Sequence, residues 1–508
     1  MADKATIELI SQEDVIDYVE KPKSLYYQIE RTKTAACVGS VRADGNILSG
    51  KGVIVGVIDT GIDIFDNAFR NSDGTTRILN IYDQTTGEKY DKQSIDEYIR
   101  LNEDLSGGTF SYDNAPGVDN IMHGTDVSYI AAGSLGVAYE ADIIAVKMGY
   151  SINNQFPRTT SLMDAIDYII RKAIEYRKPV AVNISYGCNY GAHNGNTLLE
   201  SFIDDISKSY RCVICVGSGN EADKAIHFGG IINTGQVQTA YLSVGEYQSA
   251  IDIQIWKNYW DTIDVMLINP RGEQIGIITE GRINRYETYN TEIITLLGEP
   301  SPYNIYQEIY INLIPKTDYI LSGIWQIVLM AGSIRAGEYN IWLPSSQALG
   351  YATAFNNPTA DGTITIPATA RNCIAVGAYN AYTNSYAAFS GRGFDNSIRN
   401  VNAGVKPDIT APGVDISIAR QRGNDITYRN VTGTSYAVPV VTGAAALLMQ
   451  WGIVMGNDRF MYGEKLKAAL IDGSKPVGLV GITRNDNQPD PRTGWGAVCL
   501  KNTLNKIL

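Results

Sequence analysis

The sequence predicts an α/β fold: a mostly parallel sheet with helices on both faces, carrying an inserted all-β module. Three observations predict it. Short apolar runs rich in β-branched residues alternate with amphipathic helical stretches over the first 235 residues. The alternation then gives way to strand-like runs without helices. It resumes near residue 351 and continues to the C-terminus.

The first run, "GVIVGVI" (52–58), is continuous and suits a strand buried on both faces of a parallel sheet; it ends in "DTG". "ADIIAVKMG" (141–149), "PVAVNISYG" (179–187) and "CVICVGSGN" (212–220) repeat the pattern. Between them, Leu162, Ala165, Ile166, Ile169, Ile170, Ala173 and Ile174 recur at helical spacing as one apolar stripe. Leu199, Phe202, Ile203 and Ile206 form a second stripe behind Asn196, which the pattern makes the N-cap. Strand and helix in alternation make the sheet mostly parallel, and a ligand then belongs at the carboxyl ends of its strands. Asp59, Ser185 and Asn220 all sit at such ends.

From about 236 to 345 the runs are "TAYLSVGE", "AIDIQIW", "IDVMLINPRGE", "EIYINLIP", "GIWQIVLMAG" and "EYNIWLP", separated by turns such as Asn269-Pro270-Arg271-Gly272. Regular short strands predict a β-sandwich. The expected organisation is an N-terminal extension at 1–22, an α/β domain at 23–235, the inserted sandwich at 236–350, and the rest of the α/β domain at 351–508.

The bulk properties exclude several functions. A net charge of -12 gives no basic face for nucleic acid. The N-terminus lacks the basic start and apolar core of a secretory signal. No uninterrupted apolar run reaches the roughly 18 residues of a membrane span; the longest, Ala437 to Met449, carries Pro439, Thr442 and Gly443. The six cysteines are sparse for 508 residues and are expected as thiols in a reducing compartment. Cys212 and Cys215 form a CxxC, but inside a strand-like run with no second Cys or His pair nearby, so no metal is expected. The acidic stretch "SIDEYIRLNEDL" lacks the glycine-containing loop spacing of a calcium site and reads as a solvated helix face.

Three histidines in the chain (His123, His193, His227) narrow the search for a general base. His123 stands where a turn meets a small-residue helix, Asp59 ends a buried strand, and Ser435 opens the least polar helix. A serine hydroxyl is a weak nucleophile until a base within hydrogen-bond reach takes its proton, and that base needs a carboxylate to orient it. The order Asp, His, Ser is one of the known orders of such a triad.

The contexts "VIDTGID", "HGTDV" and "TGTSYAVP" together resemble the subtilisin-like serine proteases, which carry three such motifs in this order. The resemblance implies a subtilisin-like fold, Asp59, His123 and Ser435 as catalytic triad, and a protein or peptide substrate. "SGNEAD" is similar to the segment that supplies the side-chain oxyanion donor, here Asn220, with the Ser435 amide as second donor. "NISYG" is similar to the substrate-pairing segment, so Ser185, Tyr186 and Gly187 would offer an edge to an extended peptide, and Gly217, Ser218 and Gly219 another wall of the first specificity pocket.

"FRNSDGTTRILNIYDQT", "IWKNYWDTIDVMLINPRGE", "TITIPATARNCIAVGAYN", "FSGRGF" and "VKPDITAPG" narrow the resemblance to the clostridial germination-associated Csp subtilases, over roughly residues 50–475. That group carries a jelly-roll inserted in the protease domain, and its active members process a precursor of a spore-cortex lytic enzyme. A cytoplasmic or spore-associated location follows, with no cofactor, no metal, no nucleic acid and no membrane insertion. Residues 1–22 read as a remnant of the group's propeptide. Two motifs depart from the family: "HGTDVSY" places Asp126, Ser128 and Tyr129 behind the histidine, and "GTSYAVPV" places Tyr436 after the serine. Asp126 is expected as a helix-start charge facing water, and Tyr436 as filling space near the serine. The departures motivate one competing reading, a binding protein on a protease scaffold acting through its β-module.

Overall fold

The computed structural model describes residues 28–39, 41–43, 46–106, 115–149, 157–278, 283–299, 302, 304–394, 404–422, 425–478 and 488–508. Residues 1–22, expected as an extension, lie outside them.

The central sheet is built from β1 (Ile54–Asp59), β2 (Ile78–Asp83), β3 (Asp142–Lys147), β4 (Val180–Ile184), β5 (Cys212–Gly217) and β6 (Ile374–Asn380). Their order across the sheet is β6-β5-β4-β1-β3-β2, every neighbouring pair parallel. β7 (Ile409–Pro412) adds to β6 in parallel, and short antiparallel strands, Lys89–Asp91 and Ser385–Tyr386, occupy the edges. Both faces are covered. Val55 and Val57 of β1 face one core with Ile130 and the helix at Ala437–Met449, while Ile54 and Ile58 face the other with Ile166, Ile169 and Ile203. This two-sided burial is why these strands read as continuous apolar runs.

The helices refine two expectations. In α2 (Thr159–Tyr176), all of the predicted stripe is buried except Ile174, which is 50% exposed near the helix end. In α3 (Leu198–Ser209) the N-cap is Thr197, not Asn196. Thr197 Oγ1 accepts the Glu200 amide at 3.2 Å, and Glu200 Oε2 accepts the Thr197 amide at 2.9 Å. This reciprocal capping box satisfies two otherwise orphaned amides, whereas Asn196 could satisfy one.

The inserted all-β module leaves the sheet after β5 and returns before β6. Its strands form antiparallel sheets of five and six strands, with Gly323–Ala331 central to the first and Tyr306–Pro315 and Ile251–Asn258 paired at the middle of the second. One core containing Ile253, Ile311, Trp325 and Leu329 lies between them. His227–Ile231 and Ala354–Phe355 belong to these sheets as edge strands.

Two cysteines depart from the expected thiols: Cys37 and Cys499 form a disulfide. A pairing 462 residues apart leaves no spacing signature in the chain. Cys212 and Cys215 lie in β5 as read. They face opposite cores, one on each side of the sheet, and burial pushes each thiol up to about 12. The stretch Thr434–Val454 is 21 residues long and apolar enough to cross a membrane by length and composition, and 89% of its most apolar window is buried in the protein. It is the core helix of the α/β domain.

Candidate active site

β1 ends at Asp59, whose carboxylate is buried. The next turn, Thr60-Gly61, brings the chain under α1 (His123–Ala132). Gly124 makes this approach possible: a Cβ there would sit 2.3 Å from Gly61 O and 2.9 Å from Asp59 Cβ. His123 Nδ1 thereby reaches Asp59 Oδ1 at 2.6 Å, and the same oxygen accepts the Thr60 amide at 2.8 Å. Burial depresses the His123 pKa, but the Asp59 charge and hydrogen bond outweigh it, with help from Asp119, and the net shift is upward.

Asp119, absent from the sequence-based expectations, organises the head of α1. Its Oδ1 accepts the Met122 amide at 2.7 Å and the Thr60 hydroxyl at 2.8 Å. Its Oδ2 accepts the Thr125 amide and hydroxyl, both at 2.8 Å. A carboxylate at this position also complements the positive end of the helix. Its only sequence signal is an aspartate four residues before the histidine, indistinguishable from any loop acid.

Asp126 corrects an expectation. It does not face water; it is fully buried, paired with Arg420 and Arg429. Those arginines come from a hairpin of β8 (Ile416–Arg422) and β9 (Asp425–Val431).

Ser435 is the second residue of α4 (Thr434–Met449) and is half-buried. Pro439 lies inside this helix and has no N–H to offer the Ser435 carbonyl four residues earlier. The Ser185 hydroxyl donates to that carbonyl instead, at 3.3 Å. Tyr436 packs on the His123 ring, with centroids 5.3 Å apart, so it fills the space beside the histidine as expected. The Ser435 hydroxyl makes no hydrogen bond to His123 among the described residues. Catalytic hydrogen bonds of this kind commonly tighten only with substrate in place.

Asn220 follows β5. Its Oδ1 accepts the amide and hydroxyl of Thr434, at 2.9 and 3.1 Å. The side-chain amide is therefore oriented, with its donor Nδ2 turned away from Thr434. Ser185, Tyr186 and Gly187 continue past the end of β4, partly exposed. Gly217 and Ser218 are buried; Ser218 donates its amide to Val376 O at 2.9 Å, and its hydroxyl lies 3.4 Å from that of Ser390. Gly219 is the partly exposed member of that trio. The residue that joins the two glycine walls is one the sequence did not flag, Thr365. A Cβ on Gly187 would sit 2.4 Å from Thr365 Oγ1, and one on Gly219 2.5 Å from Thr365 Cγ2. Among the described residues, no group of three or more His, Cys, Asp or Glu side chains is placed to hold a metal.

A buried carboxylate on an imidazole, a hydroxyl at a helix head and an oriented amide donor are the parts of nucleophilic acyl transfer. The chain matches the family model described as the subtilase family over residues 50–301 and 336–496. The solved structure of the Clostridium perfringens CspB protease aligns with a TM-score of 0.84 at 34% identity, covering 94% of this chain and 97% of that one. The subtilase-type proteinase RRT12 of Saccharomyces cerevisiae is 33% identical over 128 residues, 25% of this chain and 23% of its own length. Subtilisin E of Bacillus subtilis is 38% identical over 107 residues, 21% of this chain and 24% of its own length. The matched stretches thus span about a quarter of these curated relatives.

Proposed function

The chain belongs to the subtilase family, and from that membership we propose that it is a serine endopeptidase acting on protein or peptide substrates through Asp59, His123 and Ser435. The observation that carries the reading is the 2.6 Å contact between His123 Nδ1 and the buried Asp59 Oδ1, beside the helix that begins at Thr434-Ser435. Asp59 fixes the tautomer and leaves Nε2 to take the Ser435 proton. Ser435 Oγ then attacks the scissile carbonyl. Asn220 Nδ2 and the Ser435 N–H hold the oxyanion, the latter at the positive end of α4. His123 gives its proton to the leaving amine, and water, deprotonated by the same ring, hydrolyses the acyl-enzyme. Ser185 to Gly187 would pair with the extended substrate, and Gly187, Gly219 and Thr365 would bound its first pocket.

The likeness to the CspB protease covers 94% of this chain, so it includes the β-module as well as the α/β domain. Together with the resemblance to the Csp group, it motivates reading the substrate as a precursor protein. The test is turnover by the purified chain on a proteome-derived peptide library. Cleavage at defined sequences, lost in Ser435→Ala, is expected. Equal cleavage by the variant would remove Ser435 from the chemistry.

A further inference from the structure

The peptide unit just before His123 is held in an unusual way. Met122 caps α1 with φ 68° and ψ 10°, a left-handed conformation for a residue that is not glycine. Such a conformation persists only where the surroundings hold it. The Met122 side chain contributes no capping bond. Asp119 holds the Met122 amide from one side. From the other side, Arg420 and Arg429 each donate Nη2 to the Met122 carbonyl, at 2.9 and 3.2 Å.

Two guanidinium groups at the positive end of a helix, beside an imidazole that must accept a proton, would be unfavourable alone. Asp126 answers this. Arg420 donates Nε to Asp126 Oδ1 at 3.0 Å, and its Nη2 meets the same oxygen. Arg429 meets Oδ2. In the hairpin register Arg420 lies opposite Thr427, so Arg420 and Arg429 are diagonal neighbours on one face. The same hairpin runs directly into Gly433-Thr434-Ser435, and the Gly433 amide closes its base on Gly413 O at 2.8 Å.

We propose that Asp126, Arg420 and Arg429 are positioning residues for His123: a clamp anchored on the buried Asp126 that fixes the Met122–His123 peptide against the hairpin leading to Ser435. The proposal rests on the catalytic reading of His123 and Ser435 given above. The clamp sets the imidazole's place relative to the serine, and it balances charge next to the ring. The charged groups facing His123 are Asp59 and Asp119, which favour the imidazolium, and Arg429, which disfavours it; the Tyr436 ring covers one face.

The experiment uses the full chain carrying Asp126→Asn, Arg429→Gln or Arg420→Lys. Two readouts are taken: kcat and KM across pH, and the His123 imidazole titration by NMR, in a protein with three histidines to assign. Asp126→Asn is expected to lower kcat roughly 10- to 100-fold with KM within about twofold, as a small misplacement of a reacting group does. It also leaves two arginine charges unbalanced, so the His123 pKa moves down. Arg429→Gln removes one charge, so the pKa and the acid limb of kcat/KM move up. Arg420→Lys keeps the charge without the planar fork and falls between wild type and Asp126→Asn in kcat. Variants that melt earlier yet keep the wild-type kcat and His123 titration would overturn the proposal, leaving a structural brace. Absence of turnover in the wild type would count against the catalytic reading instead. The imidazole titration then still decides the clamp, an unchanged His123 pKa in both charge variants overturning it.

Discussion

Thr434 grips Asn220 by its oxygen, and that small contact decides what the amide can do. With Oδ1 accepting twice from Thr434, Nδ2 is the atom left to donate. On the proposed mechanism Asn220→Ala lowers kcat on the order of 100- to 1000-fold with little change in KM, as loss of such a donor does in a subtilisin. Steady-state kinetics check it, and a change confined to KM would contradict the assignment. Asp59, His123 and Ser435 were legible because each carries its own local context: a strand end, a glycine that permits close approach, a glycine-threonine before a buried helix. Thr365, Arg420 and Arg429 were not. Each acts on a partner far away in sequence, Arg420 on Asp126 294 residues earlier. Asp126 was misread for the same reason. An acid in the first turn of a helix normally faces water, and nothing nearby in the chain announces the two arginines that bury it.

At the scale of elements, periodicity located the strands and helices, and chemistry at their ends was harder. Thr197 displaced Asn196 as a cap because Glu200 completes a reciprocal pair with it. The hairpin β8–β9 had no clear signature, since its outer strand is exposed along most of its length, so the alternation of Ile426 and Tyr428 marks no buried face. The short 3₁₀ turn Asn67–Phe69, which the hairpin packs against, offers a test of electrostatics at this scale. Its cap Asp66 accepts the Ala68 amide at 2.9 Å, and burial, reinforced by the Asp63 charge, raises its pKa from 3.8 to about 6. A raised carboxyl pKa means that ionisation costs stability: the cost is absent below the ordinary pKa, grows as pH rises towards 6, and is complete above it. Asn at this position keeps the acceptor without the charge. Asp66→Asn is therefore expected to stabilise the protein by ~2–3 kcal/mol at pH 8 and by almost nothing at pH 3.5. Denaturant unfolding at the two pH values measures it, and a gain independent of pH would contradict the burial argument.

Over the whole molecule, the change of texture near residue 235 was enough to separate a parallel sheet from an antiparallel sandwich, because the two architectures bury their strands differently. What the texture could not show is how the module is fastened. Glu221, the residue after Asn220, accepts the Ser345 hydroxyl at 2.9 Å and the Ser346 amide at 3.1 Å, just past the module strand Glu338–Trp342. The loop that carries Asn220 and the module thus share a joint. The disulfide between Cys37 and Cys499 ties the two ends of the described chain in a similarly non-local way. The central claim, that this assembly presents Ser435 as an acyl-accepting nucleophile, is tested most directly by fluorophosphonate modification followed by intact-mass and peptide-mass analysis. The account predicts one covalent adduct per chain, mapped to Ser435, and none in Ser435→Ala. Equal labelling of that variant, or an adduct mapped to another residue, would contradict it.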